Sequence, residues 1–173
     1  MAFELYLERK VQGRLSNELL FYKGGFMSKK KVRVSSILPA NIDTIFSKLQ
    51  AVETLQVITY PYLSFISKDD SESMWQEGSV FKFEIRLFTL FPLGIHTINV
   101  EKFDQKSYYV ATQEYNQFVP VWHHKIFLES LNDQETKYTD EVELDAGLLT
   151  FCVWLWAKLF YRHRQFKWRQ ILK

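Results

Sequence analysis

The sequence predicts an α+β fold in which a curved antiparallel sheet wraps around one long C-terminal helix. Residues 147–173 are the longest stretch with helical periodicity in the 173-residue chain. Residues 62–145 instead alternate apolar and polar side chains with a period of two, in segments separated by short turns. Short turns join antiparallel strands, because parallel pairing requires a long crossover connection.

A strand and two short helices are predicted before the main run of strands. The side chains of residues 29–37 alternate in polarity well enough to predict a strand, and Pro39 ends it. Asn41 is placed to cap a helix over residues 41–49, because its side chain can accept a hydrogen bond from the first turn. Residues 51–58 follow as a second short helix or an irregular turn.

The main run of strands is clearest in residues 79–91, where four apolar side chains share one face. Pro92-Leu-Gly94 predicts the turn that follows. The other strands are expected over residues 62–67, 95–103, 108–117, 119–128 and 136–145.

The C-terminal helix carries two apolar columns. The broader one is expected to face the sheet and includes Leu148, Phe151, Leu155 and Leu159. The second has Trp154, Tyr161 and Trp168 at seven-residue intervals. Two columns imply two contacts, so we expect this second column to face away from the sheet. Another segment, such as residues 1–26, or a second subunit would then cover it.

The second half of this helix is basic, and no Asp or Glu follows Asp145. Cations stabilise a helix C-terminus, so a solvated helix end is the simpler interpretation. The alternative is peripheral contact with an anionic membrane. That contact would use Arg162, Arg164, Lys167 and Arg169.

Composition narrows the class of protein. The length is that of one ordinary domain, and a net charge of +2 is too small to indicate nucleic-acid binding. The single cysteine, Cys152, rules out a disulfide within the chain and favours a cytoplasmic protein. Aromatic residues reach 17%, so the rings either fill the core or line a cavity.

Residues 1–28 are expected to be an appendage of uncertain structure, and residues 29–173 a single domain. Leu7, Val11 and Leu15 have helical spacing, whereas Phe3, Leu5 and Leu7 alternate as in a strand. The Gly pair at residues 24–25 is typical of a linker.

Several segments between Lys29 and Lys173 resemble the START-like (SRPBCC) superfamily, which has the helix-grip fold. They are Ser35-Ser-Ile-Leu-Pro39 with Ile45-Phe46, Trp75-x-x-Gly78, Trp122-x-His124-x-Ile126-x-Leu128 with Thr139-Asp140-x-Val142-x-Leu144, and Phe160-Tyr161-Arg162-x-Arg164. The superfamily includes polyketide cyclases, lipid-transfer domains and pollen-allergen relatives. The resemblance therefore implies the fold and a cavity between sheet and helix, but not one function.

Alternation along the strands and the helix names the side chains expected to face that cavity. An apolar cavity with a few polar groups is the usual form of a small-molecule site. A core filled by aromatic rings is the alternative. The expected lining residues are Phe81, Phe83, Ile85, Leu87, Tyr109, Gln113, Tyr115, Trp122, His124, Ile126, Leu148, Phe151, Leu155 and Leu159.

Two polar residues, His124 and Asp140, fall on inward faces of neighbouring strands. A buried unpaired carboxylate is costly, so we expect the two side chains to be hydrogen-bonded to each other. They lie directly opposite if the turn is centred on Asn132, and diagonally after a slip of two residues. The pair either fixes strand register or acts as a general acid and base, with Asp140 raising the pKa of His124.

No motif indicates a metal or a cofactor. His123 and His124 point to opposite faces of a strand, and the sequence has no zinc-ligand spacing, phosphate loop or nucleophile elbow. The expected function is binding of a hydrophobic small molecule or lipid, as a carrier or sensor. The alternative is a polyketide cyclase-like or dehydratase-like enzyme that uses pocket His, Asp or Tyr side chains as general acid and base.

Overall fold

The computed structural model describes residues 29–67 and 74–173, and it confirms the predicted α+β architecture. In these residues seven strands form one antiparallel sheet in the order β1-β7-β6-β5-β4-β3-β2. The strands are β1 (Lys30–Leu38), β2 (Leu63–Ser67), β3 (Val80–Leu87), β4 (Phe91–Asp104), β5 (Tyr109–Tyr115), β6 (Val121–Asn132) and β7 (Glu135–Asp145). The helices are α1 (Ile42–Gln50), α2 (Val52–Thr59) and α3 (Thr150–Ile171). The predicted appendage, residues 1–28, lies outside the described residues.

Local hydrogen bonds explain where α1 and the turn before α3 begin. The Asn41 side-chain oxygen accepts a hydrogen bond from the Thr44 N–H at 2.8 Å, so the predicted cap of α1 is confirmed. Before α3, Gly147 has φ +58°, a conformation that glycine adopts without a steric penalty. Its N–H donates to the Asp145 carboxylate at 2.8 Å. This turn carries the chain from β7 through a short 3₁₀ helix, Gly147–Leu149, into α3.

The turn between β3 and β4 is not at the predicted place. The chain reverses at residues 88–90, where Phe88 and Thr89 have positive φ. Pro92 and Gly94 lie inside β4, next to a bulge in its pairing with β3. Leu93 is the residue left out of the pairing, and Pro92, which has no N–H to donate, is accepted beside this irregularity.

Helix α3 meets the sheet with a different face from the predicted one. Its buried positions include Ala157, Phe160 and Arg164. The arc expected to face the sheet is on the outside: Leu148, Phe151, Leu155 and Leu159 are all at least half exposed. The first half of α3 is apolar on nearly every side, so its periodicity alone does not identify the buried face.

The aromatic column of α3 packs on the sheet, so the prediction that it faces away is wrong. The Trp154 indole N–H donates to the backbone carbonyl of Lys31 in β1 at 2.8 Å. Tyr161 and Trp168 are fully buried, and Trp168 lies against Tyr138 of β7 with ring centroids 5.6 Å apart. The sheet itself covers this column.

The basic half of α3 is divided between surface and core. Arg162 and Arg169 are exposed and Lys167 is half-buried. Arg164 is only 5% exposed, so its predicted place in a membrane-contacting surface is wrong. No helix in residues 29–67 or 74–173 combines the length and hydropathy needed to span a bilayer.

Candidate functional site

A cavity of about 460 Å³ lies between the sheet and α3, and α2 forms part of its wall. Most of its lining is apolar, with side chains such as Leu55 of α2, Ile98 of β4 and Phe160 of α3. Phe118 and Leu149 also line it, and each is about half exposed, so they mark its open side. The large aromatic residues therefore do not fill the core completely.

The predicted lining residues fall into three groups in the structure. Five of them line the cavity: Ile85, Leu87, Trp122, His124 and Ile126. Two are buried near the cavity but do not line it, because Phe81 and Phe83 pack with Trp75. The other seven are misplaced: Tyr109, Gln113 and Tyr115 lie on the outer face of β5, and Leu148, Phe151, Leu155 and Leu159 on the outer face of α3.

The inner faces of β5 and α3 carry the lining residues that the sequence did not identify. Strand β5 turns Val110, Thr112 and Glu114 toward the cavity. Helix α3 contributes six lining side chains along its length: Cys152, Val153, Trp156, Phe160, Tyr161 and Arg164. Because strand side chains alternate, choosing the wrong face of β5 reversed every assignment on that strand.

His124 and Asp140 are in contact, as predicted. His124 Nε2 lies 2.8 Å from an Asp140 carboxylate oxygen across the β6–β7 pair. The register places His124 opposite Val142 and Asp140 opposite Ile126, so the diagonal arrangement is the correct one. His124 lines the cavity, whereas Asp140 lies behind it.

Asp140 is almost completely buried and is held by side chains from both neighbouring layers. The Gln165 amide of α3 donates to it at 3.1 Å, and the Tyr138 hydroxyl donates at 3.3 Å. The Arg164 guanidinium is 3.9 Å away. These partners replace the water that a buried carboxylate loses.

A second carboxylate, Glu114, faces the cavity and contacts two histidines. Its oxygens lie 2.9 Å from His96 Nε2 and 3.6 Å from His124 Nδ1. The Thr112 hydroxyl also donates to Glu114 at 2.7 Å. A continuous polar cluster therefore runs from His96 through Glu114 and His124 to Asp140.

Contacts within the cluster favour the charged forms of Glu114 and His124, although burial opposes them. Burial alone would raise the pKa of Glu114, but the contacts with His124 and His96 lower it well below its usual range. Burial would also lower the pKa of His124, but Asp140 and Glu114 raise it above its usual value. Arg164 lies next to this cluster, 3.9 Å from Asp140.

The raised pKa of His124 predicts a loss of stability toward alkaline pH. A group whose pKa is higher in the folded state contributes its full stabilisation of the fold below its unfolded pKa, which is about 6.5 for histidine. That contribution is lost as the pH rises through the folded pKa. We expect the free energy of unfolding, measured by urea denaturation, to fall from about pH 6.5 upward. Glu114 affects stability in the acid range. Because its pKa is lower in the folded state, its full contribution to the free energy of unfolding is present above its unfolded pKa and is lost as the pH falls.

The variant His124→Gln should flatten this alkaline decline, whereas His123→Gln should leave it unchanged. His123 is the matched control because it points to the other face of β6 and lies outside the cluster. Equal slopes in wild type and His124→Gln would contradict the prediction.

The site has no arrangement typical of a metal centre. Within residues 29–67 and 74–173, no three His, Cys, Asp or Glu side chains are placed to hold a metal ion. What the site offers chemically is an apolar space with a buried ionic cluster on one wall.

Comparison with solved structures shows the START-like helix-grip fold. A START superfamily protein from Mycobacterium smegmatis has 10% identity, with a TM-score of 0.62 over 82% of this chain and 96% of that one. Norcoclaurine synthase from Thalictrum flavum has 9% identity and a TM-score of 0.60, over 84% of this chain and 87% of that one. The Zhui aromatase/cyclase from a Streptomyces species has 12% identity and a TM-score of 0.50, over 67% of each chain.

Sequence comparison identifies a narrower family within this fold. No curated protein matches the chain. Residues 36–171 match the model described as "Domain of unknown function (DUF8410)". That match runs from within β1 almost to the end of α3, so it includes the other six strands and the helices that surround the cavity. The chain therefore belongs to the DUF8410 family.

Proposed function

We propose that the protein binds one hydrophobic small molecule or lipid in its cavity, as a carrier or sensor in the cytoplasm. The observation that supports this most is the cavity itself, about 460 Å³ with largely apolar walls. Drug-sized ligands occupy sites of roughly 300–1,000 Å³ lined by apolar side chains with a few polar groups. A norcoclaurine synthase of the same fold has been solved with dopamine and hydroxybenzaldehyde, which are small aromatic molecules.

The experiment is a titration of the protein with the neutral fluorescent probe N-phenylnaphthylamine. A cavity site predicts saturable one-to-one binding with the blue-shifted emission of an apolar environment. Fluorescence that rises without saturation would show only surface adsorption and would reject the proposal.

The structure favours binding over acid–base catalysis at His124. A general base needs a free lone pair within reach of the substrate. In this protein Asp140 holds one ring nitrogen of His124, and Glu114 lies 3.6 Å from the other. Both ring nitrogens of His124 therefore face carboxylates of the protein rather than a ligand in the cavity. The His124–Asp140 pair is better explained as a support for the cavity wall.

We propose in addition that the outer face of α3 rests on an anionic membrane. Four apolar side chains form a stripe that starts in the 3₁₀ helix and continues along this face, the α3 stripe: Leu148, Phe151, Leu155 and Leu159. Arg162 and Arg169, both exposed, continue it toward the C-terminus. An apolar face beside cations is typical of helices that lie at a lipid surface. Leu149, beside this stripe, lines the cavity, so the contact would bring the open side near a source of apolar ligands.

Vesicle flotation tests this contact. We expect more binding to phosphatidylcholine vesicles that contain phosphatidylglycerol than to pure phosphatidylcholine, and less binding in high salt, because salt screens exposed charges. The double variant Leu155→Glu/Leu159→Glu should abolish the binding. Val57→Glu is the control, since Val57 is a similarly exposed apolar residue on α2.

Two results would overturn the membrane contact. The first is equal binding to neutral and anionic vesicles at low salt. The second is a large loss of thermal stability in the double variant without vesicles, which would show that another part of the chain, such as residues 1–28, covers the α3 stripe.

A further inference from the structure

We infer that the ligand carries a neutral oxygen acceptor, such as a ketone, aldehyde or ester carbonyl, and that the Tyr161 hydroxyl donates a hydrogen bond to it. This inference rests on the proposed function and names the class of molecule that the cavity takes.

The Tyr161 hydroxyl has one hydrogen-bond partner among the described residues. This residue lines the cavity and is 1% exposed. Its hydroxyl oxygen accepts a bond from the Trp122 indole N–H at 3.2 Å. A phenol can also donate, yet no group in residues 29–67 or 74–173 accepts the hydroxyl proton. Buried donors are rarely left unpaired, so a cavity-lining donor without an acceptor indicates that a ligand supplies one.

This hydroxyl remains a donor. Burial raises the pKa of Tyr161 well above its usual value, and Arg164 only partly offsets this. The hydroxyl therefore keeps its proton throughout the pH range in which the protein can be studied.

The charge of Glu114 distinguishes a neutral acceptor from a carboxylate. Glu114 lines the same cavity, and although burial would raise the pKa of its carboxyl, the contacts with His124 and His96 lower it well below its usual range. A ligand carboxylate would meet the like charge of Glu114 on the cavity wall, whereas a neutral carbonyl would not. The cluster also satisfies its own acceptors, since Glu114 already receives bonds from His96 and Thr112.

The test compares three naphthalene ligands that differ in one substituent. Acetylnaphthalene offers a neutral acceptor, ethylnaphthalene has a similar shape without one, and naphthoate has a charged one. Each would displace N-phenylnaphthylamine from the protein in a competition titration. We expect acetylnaphthalene to bind best, and tighter binding of naphthoate would overturn the inference.

Two variants distinguish the role of the Tyr161 hydroxyl as a donor to the ligand from the role of its bond with Trp122. Tyr161→Phe removes the donor, whereas Trp122→Phe breaks the same Trp122–Tyr161 bond but leaves the hydroxyl free. The preference for acetylnaphthalene over ethylnaphthalene should fall about three- to tenfold in Tyr161→Phe, the equivalent of one ordinary hydrogen bond. Because Trp122 lines the cavity, both absolute affinities will change in Trp122→Phe, but the ratio between these two ligands of similar shape should be retained. Equal losses in both variants would show that only the structural bond matters.

A measurement on the wild type covers the case in which Tyr161→Phe does not fold. The infrared carbonyl stretch of bound acetylnaphthalene should move to lower wavenumber than in a hydrocarbon solvent, as for a hydrogen-bonded ketone. An unshifted band would overturn the inference. If the three ligands bind with no preference, the inference fails while the proposed function stands. If N-phenylnaphthylamine and all three ligands fail to bind, both fail.

Discussion

Replacing Asp140 with alanine is expected to lower the free energy of unfolding by about 3–5 kcal/mol, the usual effect of removing one partner of a buried ion pair. The carboxylate is 1% exposed and accepts hydrogen bonds from His124, Tyr138 and Gln165. Its loss removes the acceptor of the His124 hydrogen bond and the carboxylate nearest the buried Arg164 guanidinium. Urea denaturation at neutral pH measures the change.

Glu141→Ala is the matched control because Glu141 is the next residue of β7 and points to the other face. It pairs with Arg33 at 3.2 Å on the surface, where an ion pair contributes at most about 1 kcal/mol. A double-mutant cycle with His124→Ala should show a coupling of about 0.5–3 kcal/mol between His124 and Asp140. An effect of Asp140→Ala no larger than that of Glu141→Ala would contradict the role of the cluster.

Filling the cavity from α3 with Val153→Trp is expected to weaken binding of N-phenylnaphthylamine by at least about tenfold, or about 1.4 kcal/mol. Val153 lines the cavity and is only partly exposed. The added indole would occupy the space that the ligand needs. Fluorescence titration gives the affinity, and the thermal unfolding midpoint shows whether the variant is folded.

Leu155→Trp adds a similar bulk two residues along the same helix and should leave probe binding unchanged. Leu155 is half exposed on the outer face of α3, outside the cavity lining. The two variants therefore distinguish the face that the structure assigns to the cavity from the face that helical periodicity favoured. Weaker binding in Leu155→Trp and normal binding in Val153→Trp would contradict the assignment.

Patterns that depend on nearest neighbours in the chain were predictable. Alternation located the strands, and Asn41 located the start of α1, because both signals are local. The His124–Asp140 contact was also predictable, since two polar side chains on inward faces of adjacent strands need each other. The β3–β4 turn was not, because Pro92 and Gly94 are used in a bulge.

Long-range pairing explains what the sequence did not reveal. The inner face of β5 carries Thr112 and Glu114, and its outer face carries aromatic residues, so hydrophobicity favoured the wrong face. Glu114 is accepted inside because His96 and His124, from the two neighbouring strands, meet it there. Arg164 similarly lies in a basic run of the sequence, and only the folded chain places it beside Asp140.

Native mass spectrometry tests directly whether the cavity binds one apolar molecule. The protein would be measured after incubation with N-phenylnaphthylamine, beside Val153→Trp. We expect the wild type to form a complex with one probe per chain, and Val153→Trp to remain without probe. A wild type that carries no probe, or several probes to the same extent as Val153→Trp, would contradict it.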